Sequence, residues 1–392
     1  MKTITILTCL LVAGTFTLPA QRQYTLFECI EIALENNRDI KQRALGKQQR
    51  EIAYSQARAD LLPNLNASAG QNFVFGRSIG LDNVYQNTNS SQTSFNIGGD
   101  ITLFDGLRMK HNIDARRADM YASEADLEKM RDDIILSVST AFLQALLNQE
   151  LLQIAENQLE TTDADLQRQS QLVKSGKMAQ GELYELEAQQ AREELNRVQA
   201  ESNLKLALLD LAQVMELEAF HDFAITAPSA EVLINETPLL ATDAVYESAI
   251  ANRPEIRGMH YRLESSEKEL LMARSGYYPS LSFGASMGTG YYRMSGRDND
   301  PFAAQFRNNI SNSLGFSLRI PIFNRFQVRH NVRNAELAIA NTRLEMDKTR
   351  IELRKRIEQA YFNAVGARGR WEAAEKSVVA SRESYRFAEE KY

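Results

Sequence analysis

Cysteine is nearly missing from these 392 residues. The two present are Cys9 and Cys29, so no disulfide framework organises the fold. Histidine is scarce too: His111, His221, His260 and His330 are scattered, the methionines are dispersed, and no glycine-rich phosphate loop follows a strand and opens a helix. The sequence therefore offers no catalytic constellation, no cofactor site and no metal ligand set. Charge is not concentrated either. A net −6 spread along the chain leaves no basic patch for nucleic acid. A hydrophobic content of 44% with negative mean hydropathy excludes a bundle of transmembrane helices. It leaves open a membrane β-barrel, whose strands are only half apolar. The short apolar run from Ile4 to Leu18, preceded by Lys2 and followed by Pro19-Ala20, predicts a secretory signal peptide over 1–20. Its removal leaves Cys29, on an apolar helical face, as the one thiol, expected to be packed rather than reactive.

The stretch from Phe95 to Val173 organises the rest. Phe95, Ile97, Ile101 and Leu103 alternate with Asn96, Gly98, Asp100 and Thr102, the period of a strand. After Phe104-Asp105-Gly106 the period becomes helical, with no proline or further glycine through residue 173. At ~1.5 Å per residue, a helix over 107–173 is on the order of 100 Å long. Before it, Thr25 with Glu28 forms a capping box for a helical stretch that breaks at Asn36-Asn37 and ends at Pro63. A half-apolar strand then begins at Leu65, and 76–93 reads as a polar loop, so 65–104 forms a strand hairpin. Beyond the long helix, 174–181 is a turn and 182–215 a returning helix, whose Ala188, Ala191, Leu195, Val198 and Ser202 keep heptad spacing. Residues 216–242 read as a connecting segment with one small strand or helix.

From residue 243 the plan restarts. Ala249 to Ile256 echoes Ala33 to Ile40, and Pro279 and Leu281 echo Pro63 and Leu65; Ile322-Phe323 echoes Leu103-Phe104, and His330-Asn331 echoes His111-Asn112. The second repeat, 243–392, carries a helix, a strand hairpin over 281–322 with a polar loop from 294 to 312, and a long helix. Tyr392 aligns with Val173, so the repeat predicts a further returning helix beyond it, without which assembly would be impaired. Residues 21–215 form the first repeat.

Four strands, apolar on one face and small or polar on the other, suit a membrane barrel wall. Four cannot close, and an open edge in lipid leaves backbone groups unpaired at several kcal/mol each. Several chains must share one barrel; three would supply twelve strands. The glycine and serine face would line its lumen, with Asp100, Thr102 and Arg319 on it. The competing reading is a soluble β-sandwich within a secreted coiled-coil scaffold or adhesin.

The repeated Ala33-Leu34-Glu35-Asn36-Asn37, Ala57-Arg58 with Leu62-Pro63-Asn64-Leu65, Ala273-Arg274 with Tyr278-Pro279-Ser280-Leu281, and the passages Ile101 to Gly106 and Ile320 to Asn324 resemble the outer-membrane efflux protein family of TolC-type exit ducts. The resemblance implies a mainly α fold with transmembrane β-structure. Three protomers would form a 12-stranded outer-membrane barrel continued by a periplasmic α-barrel of very long antiparallel coiled-coil helices, with 216–242 in a belt around it. It implies passive export from the periplasm in a tripartite efflux or type I secretion system, with a periplasmic adapter and an inner-membrane pump as partners, and no enzymatic activity or cofactor. The docking tip would comprise Lys174, Ser175, Gly176, Lys177, Met178, Ala179 and Glu182, and the family's aperture gate would lie beyond Tyr392.

Overall fold

A computed structural model describes residues 22–79, 83–87, 89–217, 223–227 and 238–391; the expected signal peptide lies outside them. The chain divides into two compact units, residues 1–42 with 130–238 and residues 43–129 with 239–392.

In the first unit, strand β1 (Arg22–Tyr24) pairs in parallel with β6 (Phe223–Ile225). The Tyr24 ring sits 5.5 Å from that of Phe223. Thus the 216–242 segment supplies a small strand, while 218–222 and 228–237 lie outside the described residues. Helix α1 (Leu26–Asn36) begins at the Thr25–Glu28 capping box: Glu28 N–H donates to Thr25 Oγ1 at 3.3 Å, and Thr25 N–H donates to Glu28 Oε2 at 2.8 Å. Buried Asn37 ends α1 and caps α2 (Arg38–Ala59), accepting from the Asp39 and Ile40 amides. Pro63 biases Leu62 away from helical geometry, and α2 stops four residues short of that proline. Helices α3 (Arg108–Lys174) and α4 (Gln180–Val214) follow. This unit buries Cys29, Val138, Phe142, Leu211, Met215 and Ile225.

Near the tip, the residues of α4 drawn from solvent include Leu183, Leu186, Gln189, Gln190, Glu193 and Arg197, and Gln190 donates to Asp163 of α3 at 2.7 Å. The expected heptad seam lies elsewhere: Ala188, Ala191 and Ser202 are exposed, as are Leu195 (68%) and Val198 (47%). A heptad stripe marks a surface suited to a helix, without stating whether that helix belongs to the same chain.

The second unit holds α5 (Thr242–Asn252), α6 (Pro254–Ser275), α7 (Phe302–Asn308) and α8 (Gln327–Lys391), with the start of α3. Ala115, Ala118, Ala122 and Ala125 give α3 a buried small-residue stripe. A Cβ added to Gly258 of α6 would lie 3.4 Å from that of Ala125, so the two helices approach closely. Cations flank the stripe: Lys47 pairs with Glu124 at 2.9 Å, Arg262 with Asp126 and Arg257 with Glu128. On α8, Ile339, Met346 and Leu353 are buried at intervals of seven, and α6 packs on this helix.

A four-stranded antiparallel sheet runs in the order β2 (Asn66–Val74), β5 (Ser90–Phe104), β7 (Ser280–Met294), β8 (Ser311–Arg319). Each hairpin pairs internally, and the two join through β5 and β7. Four details depart from the sequence expectation. The register slips between Thr102 and Phe104, so Phe104 rather than Leu103 faces Leu281. That is a bulge at a strand end, where one extra residue bends the chain. Strand β8 stops at Arg319, before Pro321, which has no N–H for a ladder. The first polar loop contains a short hairpin, β3 (Arg77–Ile79) with β4 (Tyr85–Asn87). The second contains α7.

Both passages from strand to long helix use left-handed backbone. Gly106 and Leu107 have φ of +69° and +67°; Arg325 and Phe326, their repeat equivalents, have +53° and +61°. Asp105 caps α3, its Oδ2 accepting from the Met109 amide at 3.0 Å.

Candidate functional site

Register decides which side chains share a face. Asp100 stands opposite Gly284, and Gly284 opposite Gly315; Thr102 stands opposite Ser282, and Ser282 opposite Ser317; Arg319 pairs with Ser280. Side chains alternate along each strand, so Asp100, Thr102 and Arg319 all lie on one face, with Asn66, Ser68, Gly98, Ser286 and Ser313. Around Asp100, residues including Asn64, Ser282, Ser286 and Ser313 line a trough of about 480 Å³. The opposite face carries Ile97, Ile101, Phe283, Met287, Leu314, Phe316 and Leu318, several of them largely exposed.

Asp100 is held from the side. The Asn64 amide donates to Asp100 Oδ1 at 2.7 Å while its own Oδ1 accepts from the Asp100 N–H at 3.1 Å, and the Asn64 N–H donates to the Asp100 carbonyl. A Cβ on neighbouring Gly99 would lie 2.0 Å from the Asn64 carbonyl oxygen, so the chain passes where only glycine fits. Sequence reading placed Asp100 on its face but missed Asn64, for which Leu62-Pro63-Asn64, a turn ahead of a strand, was the available signal.

At the turn between α3 and α4, Lys177 N–H donates to the Leu172 carbonyl and Gly176 N–H to that of Val173, both at 2.9 Å. Gly176 has φ +71°. These two bonds and the left-handed glycine make a Schellman cap. Lys174, Ser175, Gly176, Lys177, Ala179 and Glu182 are exposed, and Met178 is half-buried. Ala179 begins α4 with no side-chain hydrogen bond to the helix, leaving the first-turn amides without a side-chain cap. Glu182 lies in that first turn, where the helix dipole favours an acid.

Among the described histidines, His260 and His330 are exposed. His111 is partly buried, with Nδ1 lacking a hydrogen-bond partner. His221 lies outside the described residues.

Comparison with known proteins meets this geometry. The family described as outer membrane efflux protein matches residues 29–215 and 245–392. The chain is 24% identical over 356 residues to the toxin and drug export protein A of Aggregatibacter actinomycetemcomitans, covering 89% of this chain and 73% of that protein. It is also 24% identical to the proteases secretion protein PrtF of Dickeya chrysanthemi, covering 92% of this chain and 78% of that protein. Its fold matches a crystal structure of CusC, described in connection with transmembrane channel formation, with a TM-score of 0.71 at 18% identity over 89% of this chain and 79% of CusC. With the family pattern spread over both repeats, and export and secretion proteins of the outer membrane among its sequence relatives, the chain belongs to the outer membrane efflux protein family and is an export protein of the outer membrane.

Proposed function

We propose that three copies of this chain close one barrel, with Asp100, Thr102 and Arg319 facing its water-filled lumen, and that 174–182 is the surface met by a periplasmic adapter or a pump. The observation that carries the reading is the pair of open edges. Among the described residues, strands β2 and β8 each pair on one side only, and they run in opposite directions. The β8 edge of one copy can therefore pair with the β2 edge of the next and continue the antiparallel alternation. Two copies would give about eight strands, whose interior side chains fill; three give a lumen wide enough to conduct.

The height agrees. From Leu281 to Tyr291 the apolar face of β7 spans ten steps at ~3.3 Å, and a tilt of about 40° reduces this to ~25 Å, the apolar band of outer-membrane barrels. The exposed stripe from Ala188 to Ser202 on α4 then meets a helix of a neighbouring copy. The lumen wall of hydroxyls and glycines, with one acid and one base per chain, gives no chemistry and little charge selection. Specificity belongs to the partner that loads the duct.

The native mass of the protein extracted from outer membranes in mild detergent tests this. A heat-sensitive trimer is expected, and cross-linking from Lys174 and Lys177 should capture the adapter or pump. A soluble monomer with no membrane association would mean that the apolar faces bury against each other, ending the channel-wall reading.

A further inference from the structure

Opposite Gly288 strand β8 begins, so β7 beyond that residue has no strand on that side among the described residues. Three side-chain amides take its place. Asn309 donates to the Gly290 carbonyl; Gln305 both accepts from the Tyr292 N–H and donates to the Tyr292 carbonyl; Asn299 does the same at Met294, each at 2.8–2.9 Å. These bonds tie α7 and its flanks to β7. They also fix where its aromatic rings go. Phe302 lies 5.3 Å from Tyr291 and Phe306 lies 5.5 Å from Phe95. Phe95 and Tyr291 belong to the apolar face of the sheet by register, so α7 leans over the side that faces lipid.

Between α7 and the sheet runs a groove of about 160 Å³ lined by Phe95, Ile97, Met287, Thr289, Phe306 and Ile310. The Thr289 hydroxyl is already spent on the Phe306 carbonyl at 2.6 Å. The volume is well below the ~300–1,000 Å³ of sites for compact ligands, and suits a single hydrocarbon chain. Above it stands charge. Arg293 lies on the same face by register, four residues or about 13 Å beyond Thr289 toward the exterior. Arg307 follows Phe306 on α7, and both arginines are exposed. Neither has an acidic partner among the described residues. The acids of this loop, Asp298 and Asp300, flank Asn299 on the Met294 edge.

We infer that this corner binds an anionic, phosphate-bearing lipid of the outward leaflet, one acyl chain lying in the Phe95–Met287–Phe306 groove and the phosphate meeting Arg293 and Arg307. The site rests on the reading that the apolar face is lipid-facing. The groove is continuous with that face, and Arg293 lies beyond its outer end. A zwitterionic lipid would fill the groove equally well and also carries a phosphate, but its own ammonium already offsets that charge, so a lipid of net negative charge gains more from the two guanidinium groups.

The test is native mass spectrometry of the protein extracted from outer membranes, counting retained lipid, followed by exchange against vesicles of phosphatidylglycerol or of phosphatidylcholine. Retention of anionic lipid is expected, falling about tenfold in Arg293→Gln/Arg307→Gln, as suits the loss of charge-assisted hydrogen bonds. Met287→Trp, which fills the groove without touching the amide clamp, should expel both lipids while the assembly mass stays unchanged. Equal retention by the wild type and the arginine variant, or an inserted assembly carrying no lipid, would overturn the lipid site and leave the channel reading standing. A protein that does not insert would remove the lipid-facing assignment and the site with it.

Discussion

Gly106→Ala should destabilise the protein by about 3 kcal/mol. Gly106 sits at φ +69°, where a Cβ costs ~1–2 kcal/mol against the following carbonyl. That Cβ would also lie 2.8 Å from the Ser275 carbonyl oxygen and 2.9 Å from the Tyr278 Cβ, forcing backbone to move at about 1–3 kcal/mol. The equivalent corner in the second repeat carries the opposite sign. Arg325 occupies the same left-handed region at +53° with a full side chain. Arg325→Gly relieves ~1–2 kcal/mol and returns ~0.5–1 kcal/mol to the freedom of the unfolded chain, a net gain of roughly 0.5–1 kcal/mol. Unfolding midpoints of both variants in detergent, with Gly106→Asn as a third, separate the contributions. Asparagine tolerates left-handed backbone but carries the same Cβ, so it should cost nearly as much as alanine where the clash dominates. A Gly106→Ala protein within about 0.5 kcal/mol of wild type, the ordinary spread of surface changes, would refute the account of the corner.

At the hairpin tip, Gly176→Ala should cost only the left-handed penalty of ~1–2 kcal/mol, because a Cβ there meets nothing within 4 Å. Ala179→Asp should stabilise α4 by about 1 kcal/mol by capping its free amides, read as a shift in the unfolding midpoint. Cys29 is buried; desolvation, followed by the charge of Glu28, pushes its thiol up to about 12. An unfolded chain gives up that proton near 9.0, so stability should fall as pH rises from there toward about 12. Alkylation of Cys29 at pH 8 should wait on unfolding; labelling of the folded protein at the rate of the denatured chain would contradict this packing.

Much of this architecture is legible in residue order because two periods, two and three-to-four, alternate cleanly along it. Asp100, Thr102 and Arg319 fall on one face since a strand admits only two. The capping box at Thr25 and Glu28 is visible for a similar reason, being a contact three residues apart. What stayed hidden depends on partners distant in sequence. Asn64 reaches Asp100 across 36 positions. Helix α7 is held by amides that answer the missing part of β8, a vacancy that appears only once the strands are laid side by side. The stripe on α4 is the instructive case: its spacing announces a helix neighbour, and only the fold shows that its own partner in the hairpin, α3, is met on a different flank, at Gln190.

The two unpaired edges bear on how the protein reaches its place. Each nine-residue edge strand presents a row of amides and carbonyls that water can satisfy and hydrocarbon cannot. If three copies close one barrel as proposed, a lone copy is confined to the aqueous side of the bilayer, and entry coincides with ring closure. The rate of appearance in the membrane should rise steeply with the supply of subunits, and dilution should strand them outside it. On that reading, folding of the wall, choice of partner and insertion become one event, and a surplus of single copies is material for whatever clears unfinished protein from the compartment.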